Sequence, residues 1–365
     1  MARPQTTLPA PQTALPDTCE LAVVGSGAGA LSAAVTAAQL GLSVVVLEKE
    51  ALVGGTTAWS GGWMWIPRNP LARAAGIGED LGEVRRYLRH LLGANYDAPR
   101  LEMFLAHGPA MVDFHQRHTA LRFIDGNAIP DFHGRVPGAR SGGRSVCAAP
   151  FDASVLAAEL SRLRPPRDIL SFLGMSIGGD VRHFVRAGRA FDSFRYAAAR
   201  VLRHGWQVLR HGQGTTRMAG NALAAALFKS ALAAGVRVFT RHAAVGLVQE
   251  QGRVCGVRVK TPDGERVLRA TRGVVLAAGG FPHDAQRQRE RFVPPAAPSL
   301  PPRRATGRPR CRPTPAPACA WASRPGRRWT PRWPIPPHGR RSRWCHARVE
   351  ASRTFPTCSS AASPA

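Results

Sequence analysis

Two glycine clusters and one acid near the start of the chain could hold an extended, anionic ligand. Gly25, Ser26, Gly27, Ala28, Gly29 and Ala30 follow the spacing G-x-G-x-x-A. Gly25 suits a tight turn, Gly27 presents no Cβ to an approaching pyrophosphate, and Ala30 lets a helix pack close to a strand. Glu48, followed by Lys49, is a carboxylate placed to accept the ribose hydroxyls of an adenosine. The second cluster runs Gly54-Gly55-Thr56-Thr57 and then Ser60-Gly61-Gly62. Its glycines let the main chain lie against a flat or anionic ligand, and its hydroxyl and N–H groups supply donors.

These residues need a strand–turn–helix–strand frame, and the flanking sequence supplies it. Residues 21–24 form an apolar run that suits a strand buried on both faces. The pattern predicts a helix over 28–40, closed by Gly41, and a second strand over 43–47 that ends in Glu48. The helix N-terminus aims unpaired N–H groups at phosphates. Strand, glycine turn, helix, strand and acid within about 30 residues is the context a dinucleotide site requires. After its acid an NAD-type domain continues into a surface loop and another helix. A second glycine cluster suits a second pass along a longer cofactor.

The string "GSGAGA…LEKE…VGGTTAWSGGWMWIP" resembles the FAD-binding domain of the superfamily of fumarate reductase/succinate dehydrogenase flavoproteins and 3-ketosteroid Δ1-dehydrogenases. The resemblance implies FAD as cofactor. It also implies that Gly54 and Gly55 lie near the pyrophosphate and that Thr57 to Gly62 run beside the isoalloxazine. The implied fold is a Rossmann-like α/β domain, a parallel sheet plus a small antiparallel β-meander, with an inserted and mainly helical cap.

The remaining sequence divides accordingly. Helical patterns occupy 81–92, 99–118, 153–163 and 184–204, which sets a cap or substrate domain at 69–205. A helix at 220–234 and a strand at 236–240 restore the α/β pattern. Three antiparallel strands follow at 244–249, 253–260 and 265–270, then a buried strand at 273–276. The FAD-binding domain is thus discontinuous, 19–68 and 206–293. The resemblance, which covers about residues 20–285, implies an adenine contact through the backbone of Val245. It also implies an approach to FAD by Ala278, Gly279 and Gly280, which follow Ala277.

Hydride transfer through flavin N5 to or from a bond next to a carbonyl leaves the protein two tasks: moving a proton and polarising the carbonyl. In the ketosteroid dehydrogenases tyrosines do this. Here the three tyrosines, Tyr87, Tyr96 and Tyr196, fall in predicted cap helices. The loop at 129–145 resembles the one that carries the family's first catalytic tyrosine, but it has Phe132 and His133 there. His133 is a candidate proton relay, with an exposed loop histidine as the competing reading. Arg140 and Arg144 are candidates to clamp a carboxylate or polarise a carbonyl, against solvated loop arginines. The substrate class is a steroid-like ketone or an unsaturated acid, and no electron partner is named.

Composition bounds the rest. Across 365 residues, 44% hydrophobic, no apolar run reaches the ~20 residues of a membrane span, so no membrane partner is expected. The start lacks a signal-like apolar stretch and reads as a disordered lead over 1–18, with a cytoplasmic address by default. Seven cysteines without a C-x-x-C pair fit neither a disulfide framework nor a metal site. Of the net charge of +27, +13 falls in residues 294–365, which hold 14 Arg and one acid, Glu350, and the other +14 is spread over 293 residues without a dense basic cluster. That distribution argues against a nucleic-acid-binding domain. Residues 294–365 also hold 16 of the 31 prolines and only three branched aliphatics. The reading is a disordered Pro/Arg-rich tail, the out-of-frame product of a GC-rich gene, leaving a truncated flavoprotein without turnover. The rival readings are an NAD(P)-dependent Rossmann dehydrogenase and a protein that binds RNA through its arginine-rich tail.

Overall fold

The computed structural model of the chain describes residues 14–291, His283 excepted. The disorder expected over 294–365 lies outside the described residues. So does most of the lead, although Leu15 is buried in the core and the first strand opens at Thr18.

A six-stranded sheet organises the molecule. β1 (Thr18–Val24) and β2 (Val44–Leu47) flank the helix α1 (Ala28–Gln39). Then come β3 (Trp63–Trp65), α2 (Pro70–Ala74), α3 (Leu81–Leu92), α4 (Ala98–His118), β4 (Phe123–Asp125), β5 (Ser145–Ala148) and β6 (Phe151–Asp152). A small hairpin, β7 (Ser171–Phe172) and β8 (Met175–Ser176), precedes α5 (Val181–Arg186), α6 (Phe191–His211) and β9 (Thr216–Arg217). The chain closes with α7 (Ala219–Ala233), β10 (Arg237–Phe239), β11 (Ala243–Glu250), β12 (Arg253–Thr261), β13 (Gly264–Leu276) and α8 (Ala285–Arg291). The sheet order is β10-β2-β1-β13-β12-β11. The first four strands are parallel and the last three form an antiparallel meander.

The apolar runs of the parallel strands feed two cores at once. Val23, Val44, Val46 and Val238 face α1 and α7. Their neighbours Ala22, Val24, Val45, Leu47 and Phe239 face the meander, where Ala244, Val257, Val259, Leu268 and Ala270 meet them. Alternation along a strand sends successive side chains to opposite faces, so a strand covered on both sides must be apolar at every position. On the helical side, alanines at 30, 34, 222, 225 and 226 let α1 and α7 approach closely within one buried cluster.

Four expectations change. The strands expected at 265–270 and 273–276 are one strand, β13, which carries an irregularity against β1 between Ala270 and Gly273. That bulge gave the sequence its apparent break. The helix expected over 184–204 is two, α5 and α6, separated by a turn through Gly188 and the extended Ala190. The helix expected at 153–163 is 3₁₀ in character, Ala153–Arg162, with a kink at Ala157 (φ +49°). Tyr96 lies beyond α3, at the end of a 3₁₀ turn, and not within a helix.

Candidate cofactor site

The first glycine turn and the second glycine cluster meet over the N-terminus of α1. Gly25 leaves β1 at φ +106°, and a Cβ there would lie 2.5 Å from the carbonyl oxygen of Ala277. Only glycine lets the β1–α1 turn and the residues after β13 close on one another. Gly27 caps α1 in extended geometry, without a side-chain hydrogen bond to the helix. A 3₁₀ turn, Thr57–Trp59, crosses the same helix end, and the Ala28 N–H donates to Thr57 Oγ1 at 3.0 Å. The next N–H groups of the first turn, Gly29 and Ala30, have no partner within the helix by its geometry. Gly55 (φ +50°) faces Gly27, and a Cβ on it would sit in ordinary contact, 3.9 Å from the Gly27 Cα.

The second cluster rests on α7. A Cβ on Gly62 (φ +72°) would lie 2.5 Å from the carbonyl carbon of Ala219, and one on Gly220 would lie 2.6 Å from the Ser60 carbonyl oxygen. The Gly220 N–H donates to that same oxygen at 3.0 Å. Asn221, buried behind it, donates to the carbonyls of Ala58 and Arg164. Gly220 was not singled out from the sequence, because its role exists only against Ser60, far earlier in the chain. Cys147 escaped notice for the same reason. Its thiol lies 3.5 Å from the Gly61 carbonyl, because β5 pairs with β3 immediately after the glycine pair.

Glu48 ends β2 as a buried carboxylate. Ser26 Oγ donates to its Oε2 at 2.5 Å, the Glu50 N–H donates to Oε1 at 2.9 Å, and the Gly54 N–H donates to Ser26 Oγ. Ser26 thereby ties the first glycine turn, the acid and the second glycine cluster together. Lys49 is exposed and pairs with Glu50 at 3.6 Å. The His242 N–H donates to the Glu48 carbonyl, which starts β11 beside the acid. Three residues on, Val245 is an extra residue in the β11–β12 ladder, between the pairs Ala244–Val259 and Gly246–Arg258. A bulged residue keeps its backbone groups out of the ladder, available to a ligand. On the other side of the turn, Ala278, Gly279 and Gly280 follow the Ala277 N–H, which donates to the Val24 carbonyl.

The residues fit an extended diphosphate. Gly27 has ordinary φ, and a Cβ built there meets only Thr57 Oγ1, at 3.4 Å. Protein packing therefore does not demand glycine at 27, whereas it does at 25, 62 and 220. The space kept clear beside Gly27 lies at a helix N-terminus, the natural seat of a phosphate.

Residues 20–312 match the family described as FAD binding domain. The chain belongs to that family. Its cofactor is FAD, and the match runs on to residue 312, past the end expected from the motifs. Among relatives of this flavoprotein, the 4-oxocyclohex-2-ene-1-carboxylate 5-dehydrogenase of Sinomonas cyclohexanicum is 36% identical over 284 residues, 76% of this chain and 47% of that protein. The 3-oxosteroid 1-dehydrogenase of Mycolicibacterium smegmatis is 35% identical over 272 residues, 73% of this chain and 48% of that protein. The crystal structure of 3-ketosteroid Δ1-dehydrogenase from Sterolibacterium denitrificans, in complex with 1,4-androstadiene-3,17-dione, superimposes with a TM-score of 0.68 at 32% identity. The superposition covers 75% of this chain and 50% of that one. The flavoprotein thus spans about half the length of the curated relatives it matches.

The catalytic candidates sit elsewhere. His133 is exposed, as is Phe132. Arg144, 1% exposed, is an ion-pair hub: Nε reaches Glu79 at 2.5 Å, Nη1 reaches Asp131 at 2.6 Å and the Gly138 carbonyl at 2.9 Å. Its guanidinium also lies over the rings of Trp65 and Tyr87. Arg140 donates to the Gly78 carbonyl and stands 3.8 Å from Glu79. Arg144 is a buried residue whose charge is met by Glu79 and Asp131, so it is not free to clamp a substrate carboxylate. Arg140 is partly exposed, and its ion-pair partner is Glu79. Burial raises the Tyr87 hydroxyl above the ordinary phenol range, opposed by its hydrogen bond to the His133 backbone. The loop at 129–145 is held by these bonds, and its fixed shape comes from partners distant in the chain, Glu79 foremost.

Proposed function

We propose that the protein is an FAD-dependent oxidoreductase that moves a hydride to or from a carbon–carbon bond next to the carbonyl of an alicyclic ketone. The observation that carries this is the pair of facing glycines, Gly27 and Gly55, at the N-terminus of α1, with the buried Glu48 tied to both loops through Ser26. The relatives named above act on a 4-oxocyclohexene carboxylate and on 3-oxosteroids, which favours a cyclic ketone over an unsaturated acid. In this reading the α1 N-terminus meets the pyrophosphate charge, Glu48 accepts from ribose hydroxyls, and the backbone of Val245 meets the adenine. Thr57 to Gly62 hold the far end, where bound FAD supplies two-electron hydride chemistry. Residues 69–205 supply the helices between which a ketone is held against Gly61 and Gly62.

We infer in addition that this chain alone turns over slowly. His133 is exposed, Arg140 is held by the Gly78 carbonyl and Glu79, and Arg144 is held by Glu79 and Asp131, so none of the three is poised to move a proton or polarise a carbonyl. The test uses the full chain loaded with FAD. Adding a 3-ketosteroid or 4-oxocyclohexanecarboxylate should shift the flavin absorbance, fumarate should not, and dye-linked turnover should stay near that of free flavin. A shift with fumarate alone would overturn the substrate class, and rapid turnover would overturn the inference of a slow chain.

A further inference from the structure

Three arginines are buried among the described residues: Arg144, Arg200 and Arg217, at 1, 9 and 4% exposed. Arg144 has Glu79 and Asp131, and Arg200 has Asp180. Arg217, on β9, has no carboxylate partner among the described residues. Its Nη2 donates to Gln213 Oε1 at 2.9 Å, and its Nε is buried with no hydrogen-bond partner. Burial pulls its guanidinium below the usual arginine range, and no neighbouring acid raises it again. A guanidinium stays charged inside a protein, and a buried charge is costly until an opposite charge meets it.

The β6–β9 ribbon decides where this cation points. Arg217 stands opposite Phe151, and Thr216 stands opposite Asp152. Directly opposed residues of an antiparallel pair share a face. Phe151 packs on the main core cluster, so Arg217 turns inward beside it. Thr216 turns the other way and accepts a hydrogen bond from Gln207 of α6. The acid of the ribbon, Asp152, is engaged by Ser154 and Thr215. From Arg217 the chain runs directly to the segment assigned to the isoalloxazine. Ala219, two residues on and at φ +53°, abuts Gly62, and the Gly220 N–H donates to the Ser60 carbonyl. Two residues span at most about 7 Å of chain.

We propose that Arg217 receives a carboxylate of the substrate, which makes the substrate an alicyclic keto acid. This rests on the reading of Thr57 to Gly62 as the flavin end of an alicyclic-ketone site. The unmet Nε–H and its Nη neighbour are one edge of the guanidinium fork, the edge that grips a carboxylate through two parallel hydrogen bonds. A keto acid with its two groups across a six-membered ring can place the carboxylate at Arg217 while the bond next to its carbonyl lies against Gly61 and Gly62. The acid then supplies the counter-charge that the fold leaves out. A neutral ketone of the same ring leaves the buried cation unmet, so the preference for the acid arises from the cost of that vacant charge.

The experiment titrates the FAD-loaded full chain with 4-oxocyclohexanecarboxylate and with 4-methylcyclohexanone, following the flavin absorbance. The parent should bind the keto acid about 10- to 100-fold more tightly than the neutral ketone. Arg217→Gln should lose that preference through weaker binding of the acid, and Arg217→Lys, which keeps the charge without the fork, should fall between. Melting curves give a second readout. Without ligand Arg217→Gln should melt no lower than the parent, because it removes an unpaired buried charge, and saturating keto acid should raise the melting temperature of the parent alone. If the flavin of the parent responds equally to both ketones, the carboxylate site is refuted and the alicyclic-ketone reading stands. If neither ketone perturbs the flavin of the parent, that reading fails and the proposal falls with it. If Arg217→Gln melts well below the parent, or weakens both ketones alike, Arg217 is a structural cation and the proposal is wrong.

Discussion

Lowering the pH should unfold this protein through one buried histidine. His115, 1% exposed on α4, holds Ser32 of α1 through Nε2 at 2.7 Å. Its Nδ1 is buried and has no hydrogen-bond partner. An imidazolium there would bury a second N–H with no acceptor, and burial pushes the pKa down from 6.5 to about 4. The native state thus stays neutral while the unfolded chain takes up a proton. The histidine's contribution is fully present above pH 6.5 and is lost as the pH falls toward about 4. At pH ~4.5 the difference in proton binding amounts to ~2.5 kcal/mol. For a chain of this size that moves the urea midpoint by roughly 1 M. The assay compares urea unfolding at pH ~7.5 and pH ~4.5 for the parent and for His115→Gln, which can still bond Ser32. The variant should lose that portion of the acid sensitivity, while the carboxylates common to both proteins contribute equally. Parallel pH profiles for the two proteins would refute the reasoning.

The buried arginine and the glycine contacts give two further tests. Arg144→Ala leaves Glu79 and Asp131 buried without their shared cation, and a loss of about 3–5 kcal/mol is expected in thermal or urea unfolding; a change under about 1 kcal/mol would show that the pairs are solvent-screened. Gly220→Ala places a methyl 2.6 Å from the Ser60 carbonyl oxygen, and the purified protein should lose bound FAD or fail to fold. Gly205→Ala, on the exposed face of α6 with nothing within 4 Å, should instead stabilise by about 0.5–1 kcal/mol. Equal behaviour of the two glycine variants would contradict the packing described.

The parts of the fold that are local in sequence were legible. β1, α1, β2 and Glu48 stand where spacing put them, because glycine chemistry and unbroken apolar runs act between near neighbours in the chain. The bounds of α3 follow from the helical period alone. The rest depends on partners distant in the chain. Nothing near Arg144 announces Glu79, 65 residues away, so a buried ion-pair hub read as either a substrate clamp or a solvated loop arginine. Gly220 has meaning only against Ser60, and Cys147 only against Gly61. The amphipathic pattern of α6 was readable as a helix. Its orientation was not, because periodicity fixes which residues share a face and leaves open which face turns inward.

The most direct test of the central claim is FAD titration of Gly27→Leu beside the parent chain. A Cβ at 27 meets no protein atom within 4 Å except Thr57 Oγ1, and φ there is ordinary, so the variant is expected to fold and melt as the parent apoprotein does, which a thermal melt of the two apoproteins checks first. Its Cβ would enter the space in front of the α1 N-terminus where the pyrophosphate belongs. The parent should bind one FAD per chain, and the variant should bind it at least about tenfold more weakly, a change of about 1.4 kcal/mol or more. Equal FAD affinity in a folded Gly27→Leu protein would contradict the assignment of the glycine cradle.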